Sequence, residues 1–142
     1  PPSPPACFYR GALQCKKHVC GGVGELKASG EEFECAKLLD AAPQVKFWIR
    51  NLSQKPDTSF WLQTSTDRFY PDFVAMLQDG RLFAVEYKGE PYVTNDDSRE
   101  KTNLGELWAS NSGGKAVFLM AEKQDKQGRS LKEQIAAAVA PG

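Results

Sequence analysis

Two apolar segments joined by a short polar turn place the firmest constraint on how this chain folds. Residues 69–77 and 81–89 are rich in aromatic and β-branched side chains, and Gln78-Asp79-Gly80 lies between them. Two such segments around an Asp-Gly turn predict an antiparallel β-hairpin. The loop is either the two residues Asp79-Gly80 or all three residues with Gly80 left-handed. The choice matters, because a shift of one residue in register moves every side chain of a strand to the other face of the sheet.

The remaining pattern predicts a single α/β domain. Ser29-Gly30-Glu31-Glu32 has the form of a capping box, so a helix is expected from there to about Ala41, before Pro43. The order along the chain is helix, three or four strands, helix, strand and helix. Further strands are expected at residues 45–52, 59–64 and 116–121, the last central and parallel, with a loop at 90–97 and helices at 98–110 and 130–140.

Length and charge limit the possible roles of the chain. Its 142 residues suffice for one hydrophobic core, which we expect in residues 30–142. The Pro-Pro-Ser-Pro-Pro start predicts that residues 1–29 form a linker, as in a fragment of a larger protein. With 18 basic and 18 acidic residues the net charge is zero, whereas a stand-alone nucleic-acid binder usually carries a basic excess. No apolar run approaches the ~20 residues of a membrane span, so no membrane association is expected.

The four cysteines are compatible with a disulfide pair or with free thiols. Cys35 falls within an apolar helical pattern, which favours a buried thiol in a reducing, cytoplasmic environment. Cys7, Cys15, His18 and Cys20 have a spacing that matches no familiar zinc motif. Small residues in a strand and a glycine-rich turn explain this segment more simply than a metal cluster does.

The hairpin carries the residues that suggest chemistry. Asp72 and Glu86 are separated by thirteen residues, and Lys88 follows on the same strand. Two carboxylates on neighbouring strands are typical ligands of Mg²⁺, with Mn²⁺ as a substitute, and the carbonyl of Tyr87 is a natural third ligand. Lys88 is two residues from Glu86 and therefore shares its face, where an ammonium group can orient an attacking water or offset charge. This hypothesis requires the three-residue loop, since the two-residue loop would place Asp72 opposite Tyr87.

A solvated strand face is the simpler explanation of these three charges. Against it, Glu86 and Lys88 follow Leu82-Phe83-Ala84-Val85, a segment too apolar for an exposed edge. Buried charges are costly unless they are paired or bind a metal. The pattern therefore indicates a functional site.

Glu32 is predicted as the fourth member of this site. It projects onto the apolar stripe of its helix, whereas Glu34 projects away from it. A carboxylate that points to the interior needs a metal or a cation as partner. The alternative is that Glu32 only closes the capping box with Ser29. The assignment among Glu31, Glu32 and Glu34 stays open. The stripe consists of Cys35, Ala36, Leu38, Leu39 and Ala42.

These residues also resemble a known family. Tyr70-Pro71-Asp72-Phe73 followed by Val85-Glu86-Tyr87-Lys88-Gly89 is similar to the nuclease domain at the C-terminal end of type III restriction enzyme Res subunits and related helicase–nucleases. The similarity covers about residues 30–121 and includes blocks at 31–36, 48–51 and 101–108. It implies a restriction-endonuclease-like PD-(D/E)xK fold, with a central mixed sheet flanked by helices and an αβββαβα core. It further implies Mg²⁺-dependent cleavage of DNA by Asp72, Glu86 and Lys88.

The chain departs from that family in two respects. It has no Gly-x4-Gly-Lys-Ser/Thr loop, so the resemblance implies a helicase or ATPase domain elsewhere in the full-length protein and a methyltransferase or specificity subunit as a possible partner. It also lacks a Gln-x3-Tyr motif after the lysine. Lys101, through phosphate contact, and Glu106 are expected in that supporting role, unless they belong to an ordinary exposed helical face. Arg50 and Asn51, at a strand end, are further candidates for DNA contact.

Two other functions fit the same sequence. A catalytically silent domain of this fold, which docks a partner protein or DNA, would suit the zero net charge. An RNA-directed nuclease would need the same residues as a DNA-directed one. Metal binding at Asp72 and Glu86 separates the silent domain from both nucleases.

Overall fold

The computed structural model describes residues 31–51, 60, 62–63, 68–88 and 95–141. The predicted linker, the Ser29 cap, Cys7, Cys15, His18 and Cys20 lie outside these ranges. None of the described helices is long and apolar enough to cross a membrane. The elements, in chain order, are α1 (Glu31–Ala41), β1 (Val45–Arg50), β2 (Leu62–Gln63), β3 (Arg68–Phe69), β4 (Phe73–Leu77), β5 (Leu82–Tyr87), α2 (Asn95–Ser110), β6 (Ala116–Ala121) and α3 (Leu131–Val139).

The main sheet is mixed and has four described strands in the order β1-β4-β5-β6. β4 pairs antiparallel with β1 and with β5, whereas β6 runs parallel to β5 through the crossover that contains α2. β2 and β3 form a separate two-stranded antiparallel sheet. The predicted α/β class is therefore confirmed, and the elements of the main sheet follow the expected order αβββαβα.

Three predictions about the helices and strands are wrong. The single strand expected at residues 69–77 is divided, because β3 ends at Phe69 and β4 begins at Phe73. Pro71 lies in the gap, fully buried, and proline cannot donate a ladder hydrogen bond. α2 begins at Asn95, inside the segment predicted as a loop. β6 is parallel as predicted, but it lies at an edge of the described sheet and not at its centre.

One face of the sheet is covered by α1 and α3 and forms the hydrophobic core. Trp48 is completely buried there, edge-on to Phe73 with ring centroids 5.8 Å apart. The Trp48 indole donates a hydrogen bond to Asp40 of α1 over 3.0 Å, which satisfies its one polar atom. Trp48 is therefore a packing residue of the core. Leu39 of α1 and Ile135 of α3 complete the contact with the sheet.

The opposite face is covered by α2, which approaches the sheet closely at Gly105. A Cβ atom at Gly105 would collide with the ring of Phe118 on β6. Phe118 in turn packs edge-on against Phe69, with ring centroids 6.1 Å apart. The glycine therefore sets the distance between α2 and the sheet, although glycine normally destabilises a helix.

The turn end of the hairpin is fastened to the C-terminal helix. Arg81 bonds to Asp79 through Nε over 2.8 Å, and its Nη2 donates to the carbonyls of Val139 and Ala140 over 2.8 and 3.1 Å. These carbonyls lie at the C-terminal end of α3, where helix carbonyls lack intrahelical donors. A capping box begins α3 at its other end. The Ser130 hydroxyl accepts a hydrogen bond from the Glu133 amide, and the Glu133 carboxylate accepts one from the Ser130 amide.

Gly105→Ala should reveal the close packing of α2. Replacing a helical glycine by alanine usually stabilises a helix by about 1 kcal/mol. Here overpacking against Phe118 should dominate and lower the free energy of unfolding by about 1–3 kcal/mol. Urea denaturation of the wild type, Gly105→Ala and Gly105→Ala/Phe118→Leu measures this, and the smaller leucine should recover part of the loss. A stabilised Gly105→Ala variant would contradict the packing described.

Candidate active site

The register of β4 and β5 decides which residues meet across the hairpin. Phe73 pairs with Val85 and Met76 with Leu82, and the Leu77 amide donates to the Arg81 carbonyl over 2.9 Å. The loop is therefore Gln78-Asp79-Gly80, and Gly80 has a φ of 90°. The predicted three-residue loop is confirmed. One step beyond the Phe73–Val85 pair, the register brings Asp72 opposite Glu86.

Asp72 and Glu86 are joined by reciprocal hydrogen bonds. The Asp72 amide donates to Glu86 Oε1 over 3.1 Å, and the Tyr87 amide donates to Asp72 Oδ2 over 2.8 Å. The two carboxyl groups are also close enough for the charge of Asp72 to act on Glu86. Each side chain is thus held by the other strand, and Glu86 is only 12% exposed. The backbone of Tyr87 lies beside the pair, while the role of its carbonyl as a ligand stays a prediction.

Both carboxyl groups hold protons more tightly than usual. Burial and the negative charge of Asp72 raise the pKa of Glu86 to about 8. The positive charge of Lys101 opposes this increase. Burial also raises the pKa of Asp72, although the Tyr87 amide opposes this. Two neighbouring carboxylates in a low-dielectric site cannot both ionise easily. At neutral pH the Glu86 carboxyl group, with its pKa of about 8, therefore retains its proton much of the time.

Lys101 reaches the pair from α2. Its Nζ lies 3.2 Å from Glu86 Oε2 and 5.4 Å from the centroid of the Phe69 ring. The high pKa of Glu86 means that this contact is only partly an ion pair at pH 7, despite its short distance. Lys101 was predicted from sequence as a phosphate ligand on the following helix. The structure places its ammonium group at the carboxyl pair itself.

Lys88 lies at the same end of the sheet but contacts a different carboxylate. Its Nζ is 3.7 Å from Glu122 Oε1, and its amide donates to the Ala121 carbonyl over 2.7 Å. The structure therefore brings Lys88 next to the end of β6 and does not pair it with Asp72 or Glu86. Sequence reasoning missed Glu122. The parallel register of β5 and β6 could have revealed it, because residues that follow neighbouring parallel strands emerge side by side.

Gln134 fixes the backbone of Glu122. Its side-chain oxygen accepts from the Glu122 amide over 2.9 Å, and its Nε2 donates to the carbonyls of Glu122 and Arg129 over 2.8 and 3.1 Å. Gln134 is 2% exposed, so every polar atom of its amide needs a partner. These bonds hold the carboxyl end of β6, and with it the partner of Lys88, against α3. This residue, too, was missed from the sequence.

Glu32 joins the site from α1. Its Oε2 lies 3.0 Å from Nη2 of Arg50, and its carboxyl group is near enough to Asp72 to feel that residue's charge. Burial, with the nearby charge of Asp72, raises the pKa of Glu32, and Arg50 opposes this. Glu34 instead forms an exposed pair with Lys37 on the same helix. Of the acids considered, Glu32 is thus placed at the carboxyl pair, and the side chain of Glu31 lies outside the described residues.

The two predicted DNA contacts of β1 are engaged within the protein. Arg50 binds Glu32, as above. Asn51 is buried, and its side chain accepts from the Phe60 amide over 3.0 Å and donates to the Phe60 carbonyl over 2.6 Å. A base or phosphate could bind Asn51 only at the expense of these bonds. Contact of Arg50 or Asn51 with DNA stays a prediction.

Cys35 lies near the carboxyl groups, and its thiol is unreactive. It is completely buried and free, as the helical pattern predicts. Burial raises the pKa of its thiol far above the ordinary value, and the carboxylates of Asp72 and Glu32 add to this. A thiol that cannot ionise is a poor nucleophile and a poor metal ligand.

The donor atoms suit a hard cation. No three His, Cys, Asp or Glu side chains within the described ranges are arranged as a complete metal-binding group. Mg²⁺, however, is usually held by one or two carboxylates, with water and substrate phosphate as further ligands. Asp72 and Glu86 supply two neighbouring carboxyl groups, and a bound cation would relieve the repulsion between their ionised forms. The residues present therefore fit Mg²⁺ or Mn²⁺.

The raised pKa of Glu86 predicts how stability depends on pH without metal. Between its ordinary pKa of 4.5 and about 8 the folded state binds more protons than the unfolded state. Stability is thus fully present at low pH and is lost as the pH rises towards 8. Since one pKa unit corresponds to about 1.4 kcal/mol, the loss should be on the order of a few kcal/mol.

Urea denaturation in EDTA at pH 5, 6.5 and 8.5 measures this loss. Glu86→Gln should flatten the pH dependence, whereas Glu34→Gln, which removes an exposed carboxylate of α1, should leave it unchanged. Equal profiles for wild type and Glu86→Gln would show that Glu86 ionises normally.

The geometry described here stands without support from related proteins. Neither family models, nor curated proteins, nor solved structures give a match to this chain. Membership of the type III restriction nuclease family therefore stays a prediction from the residue pattern.

Proposed function

We propose that this chain is a metal-dependent nuclease domain of the PD-(D/E)xK type, with a restriction-endonuclease-like fold. The observation that carries the proposal is the Asp72–Glu86 pair, two partly buried carboxyl groups that each accept a hydrogen bond from a backbone amide of the facing strand. Such an arrangement costs stability, because both groups are desolvated and repel each other when ionised. Sites of this kind are characteristic of metal binding and catalysis. The αβββαβα order of the main sheet is compatible with the proposed fold.

The residues would divide the chemistry among them. Asp72, Glu86 and the Tyr87 carbonyl would hold Mg²⁺, which polarises the phosphate and activates water. Glu32, fixed by Arg50, would accept a hydrogen bond from a water in the site. Lys88 would orient the attacking water or offset the charge that develops on the phosphate. Lys101, whose ammonium group lies 3.2 Å from Glu86, would contact a phosphate oxygen of the substrate.

The proposed substrate is DNA, delivered by other parts of a larger protein. A chain of zero net charge attracts DNA weakly by itself. A helicase or ATPase domain in the full-length protein, with a methyltransferase or specificity subunit, would supply the affinity and the sequence recognition. A cytoplasmic location would suit this role and the free thiol of Cys35.

A second candidate is a catalytically silent domain of the same fold. One observation favours it. Both oxygens of Glu86 already accept hydrogen bonds, Oε1 from the Asp72 amide and Oε2 from Lys101. In that case Lys101 is a permanent internal counter-ion, and a metal is not needed for the fold.

Metal binding to wild type and Asp72→Asn separates these candidates. Calorimetric titration with Mn²⁺ or Mg²⁺ should show binding to the wild type and a loss of affinity on the order of 10–100-fold in Asp72→Asn, since a metal ligand is removed. Plasmid nicking should depend on the metal and disappear in the variant. Asp79→Asn is the matched control, because Asp79 is an exposed acid on the same hairpin.

Absence of metal binding to the folded wild type would support the silent domain. Binding without nicking would establish the metal site and show that the DNA must be delivered by another domain. Equal binding by wild type and Asp72→Asn would refute the assignment of Asp72 as a ligand.

Lys88→Ala should separate catalysis from metal binding. Nicking should fall on the order of 100-fold, because a group that orients water or stabilises charge is lost. Metal affinity should stay within about twofold, since Lys88 contacts Glu122 and not the carboxyl pair. Lys123→Ala, an exposed lysine next to Glu122, serves as the control. A Lys88→Ala variant as active as the wild type would assign the lysine function to Lys101 instead.

A further inference from the structure

A polar groove lies beside the proposed site. It is bounded by α2, by the carboxyl end of β6 and by the loop of residues 122–130, and its volume is about 660 Å³. This is within the range of about 300–1,000 Å³ that is usual for ligand sites. The groove was not anticipated from the sequence, and the hydrolysis proposed above does not use it.

One end of the groove lies next to the proposed cleavage site. Lys88 forms part of its lining, and so does Met120, which pairs with Glu86 across β5 and β6. A polymer whose reacting phosphate lies at Glu86 and Lys88 would therefore continue into the groove. A small substrate would have no need of this extension.

The charged side chains of the groove carry an excess of one positive charge. Its cations are Lys88, Arg99, Lys126 and Arg129, and its acids are Glu106, Glu122 and Asp125. Two of the acids are occupied, because Glu122 pairs with Lys88 at 3.7 Å and Asp125 with Arg129 at 2.7 Å.

Arg99 and Lys126 are the cations best placed for a ligand. Both are exposed, and neither has a carboxylate partner among the described residues. Arg99 belongs to α2 and Lys126 to the loop, so the two cations lie on different walls. Cations on two walls of a groove that starts at a cleavage site are suited to successive phosphates of one strand.

The loop that carries Lys126 is well ordered by its own hydrogen bonds. Asp125 Oδ1 accepts from the amides of Gln127 and Arg129 over 2.9 and 2.8 Å. Gln124 and Ser130 form a β-bridge at the base of the loop, and Gln134 binds the Arg129 carbonyl from below. The backbone that carries Lys126 is therefore ordered before a ligand binds, which lowers the entropic cost of binding.

We propose that this groove binds the sugar-phosphate backbone of a nucleic-acid strand on one side of the cleaved phosphate. Arg99 and Lys126 contact successive phosphates, and Asn103 and Gln127 offer neutral hydrogen-bonding groups for the sugars. The inference rests on the proposed nuclease function, because it takes Glu86 and Lys88 as the place of cleavage. It assigns affinity to the groove and leaves base recognition to other domains.

The test compares two double variants that change the net charge equally. Arg99→Ala/Lys126→Ala removes the groove cations, and Lys46→Ala/Lys132→Ala removes two exposed lysines from β1 and α3. Fluorescence anisotropy with labelled DNA and RNA oligonucleotides in EDTA, over a series of salt concentrations, gives the affinity and its salt dependence. The groove variant should bind about tenfold more weakly, and its salt slope should be smaller by about 1–2. The control pair should change affinity less than twofold. The two oligonucleotides show which nucleic acid is preferred.

Several outcomes would overturn the inference. Equal losses in both double variants would mean general attraction by net charge, and no loss in either would mean that the strand lies elsewhere. A wild type that binds neither nucleic acid, or that binds labelled polyglutamate of matched charge as tightly, would also exclude a backbone site. Calorimetric metal binding is measured in parallel. If the wild type binds metal and nicks DNA, and the groove variant binds nucleic acid with normal affinity, the proposed binding role of the groove is refuted and the nuclease proposal is not. Absence of metal binding refutes the nuclease proposal instead.

Discussion

The register of the β4–β5 hairpin is the constraint on which the candidate site depends. Gly80 adopts a φ of 90°, a conformation that glycine reaches without steric cost, and this closes a three-residue loop. The loop in turn places Asp72 opposite Glu86, and the side chains then bond to the backbone of the facing strand. A register shifted by one residue would turn these carboxyl groups to opposite faces. The backbone conformation of the loop at one end of β4 and β5 thus determines which carboxyl groups meet at their other end.

The site also brings together three acids whose ionisation is unfavourable. Glu32, Asp72 and Glu86 all have raised pKa values, chiefly through burial. The protein offsets this with Arg50 on one side and Lys101 on the other, each at about hydrogen-bonding distance from a carboxylate. Apolar residues in the place of such a partly buried network would commonly be more stable. Stability that is given up at one place in a well-packed core is characteristic of a functional site.

Local sequence patterns predicted much of the fold but little of the side-chain pairing. The hairpin loop followed from the Gly80 signal and from the requirement that Asp72 meet Glu86. The spacing of apolar residues in the segment 130–140 predicted the helix that is present as α3. The break at Pro71 was missed because the flanking residues have strand propensity on both sides, and tertiary burial of the proline decided the outcome.

The contacts of Lys88, Lys101 and Arg50 could not be predicted in the same way. Each depends on where a partner on another element lies, with separations of 34, 15 and 18 positions from Glu122, Glu86 and Glu32 in the chain. Long side chains have many rotamers, and charge alone does not choose between nearby carboxylates. The position of β6 at the sheet edge likewise depends on long-range pairing and not on its composition.

The bonds from Arg81 to the end of α3 also bear on the order in which the molecule can be completed during synthesis. The hairpin leaves the ribosome more than fifty residues before Val139 and Ala140, whose carbonyls hold Arg81. Until then the strands can pair, but their apolar face has no cover from α3 and the arginine has no helix end to bind. Such incomplete sheets are prone to aggregation. A nascent chain that ends within this interval therefore has the strands of the hairpin but lacks the helix that covers part of their apolar face.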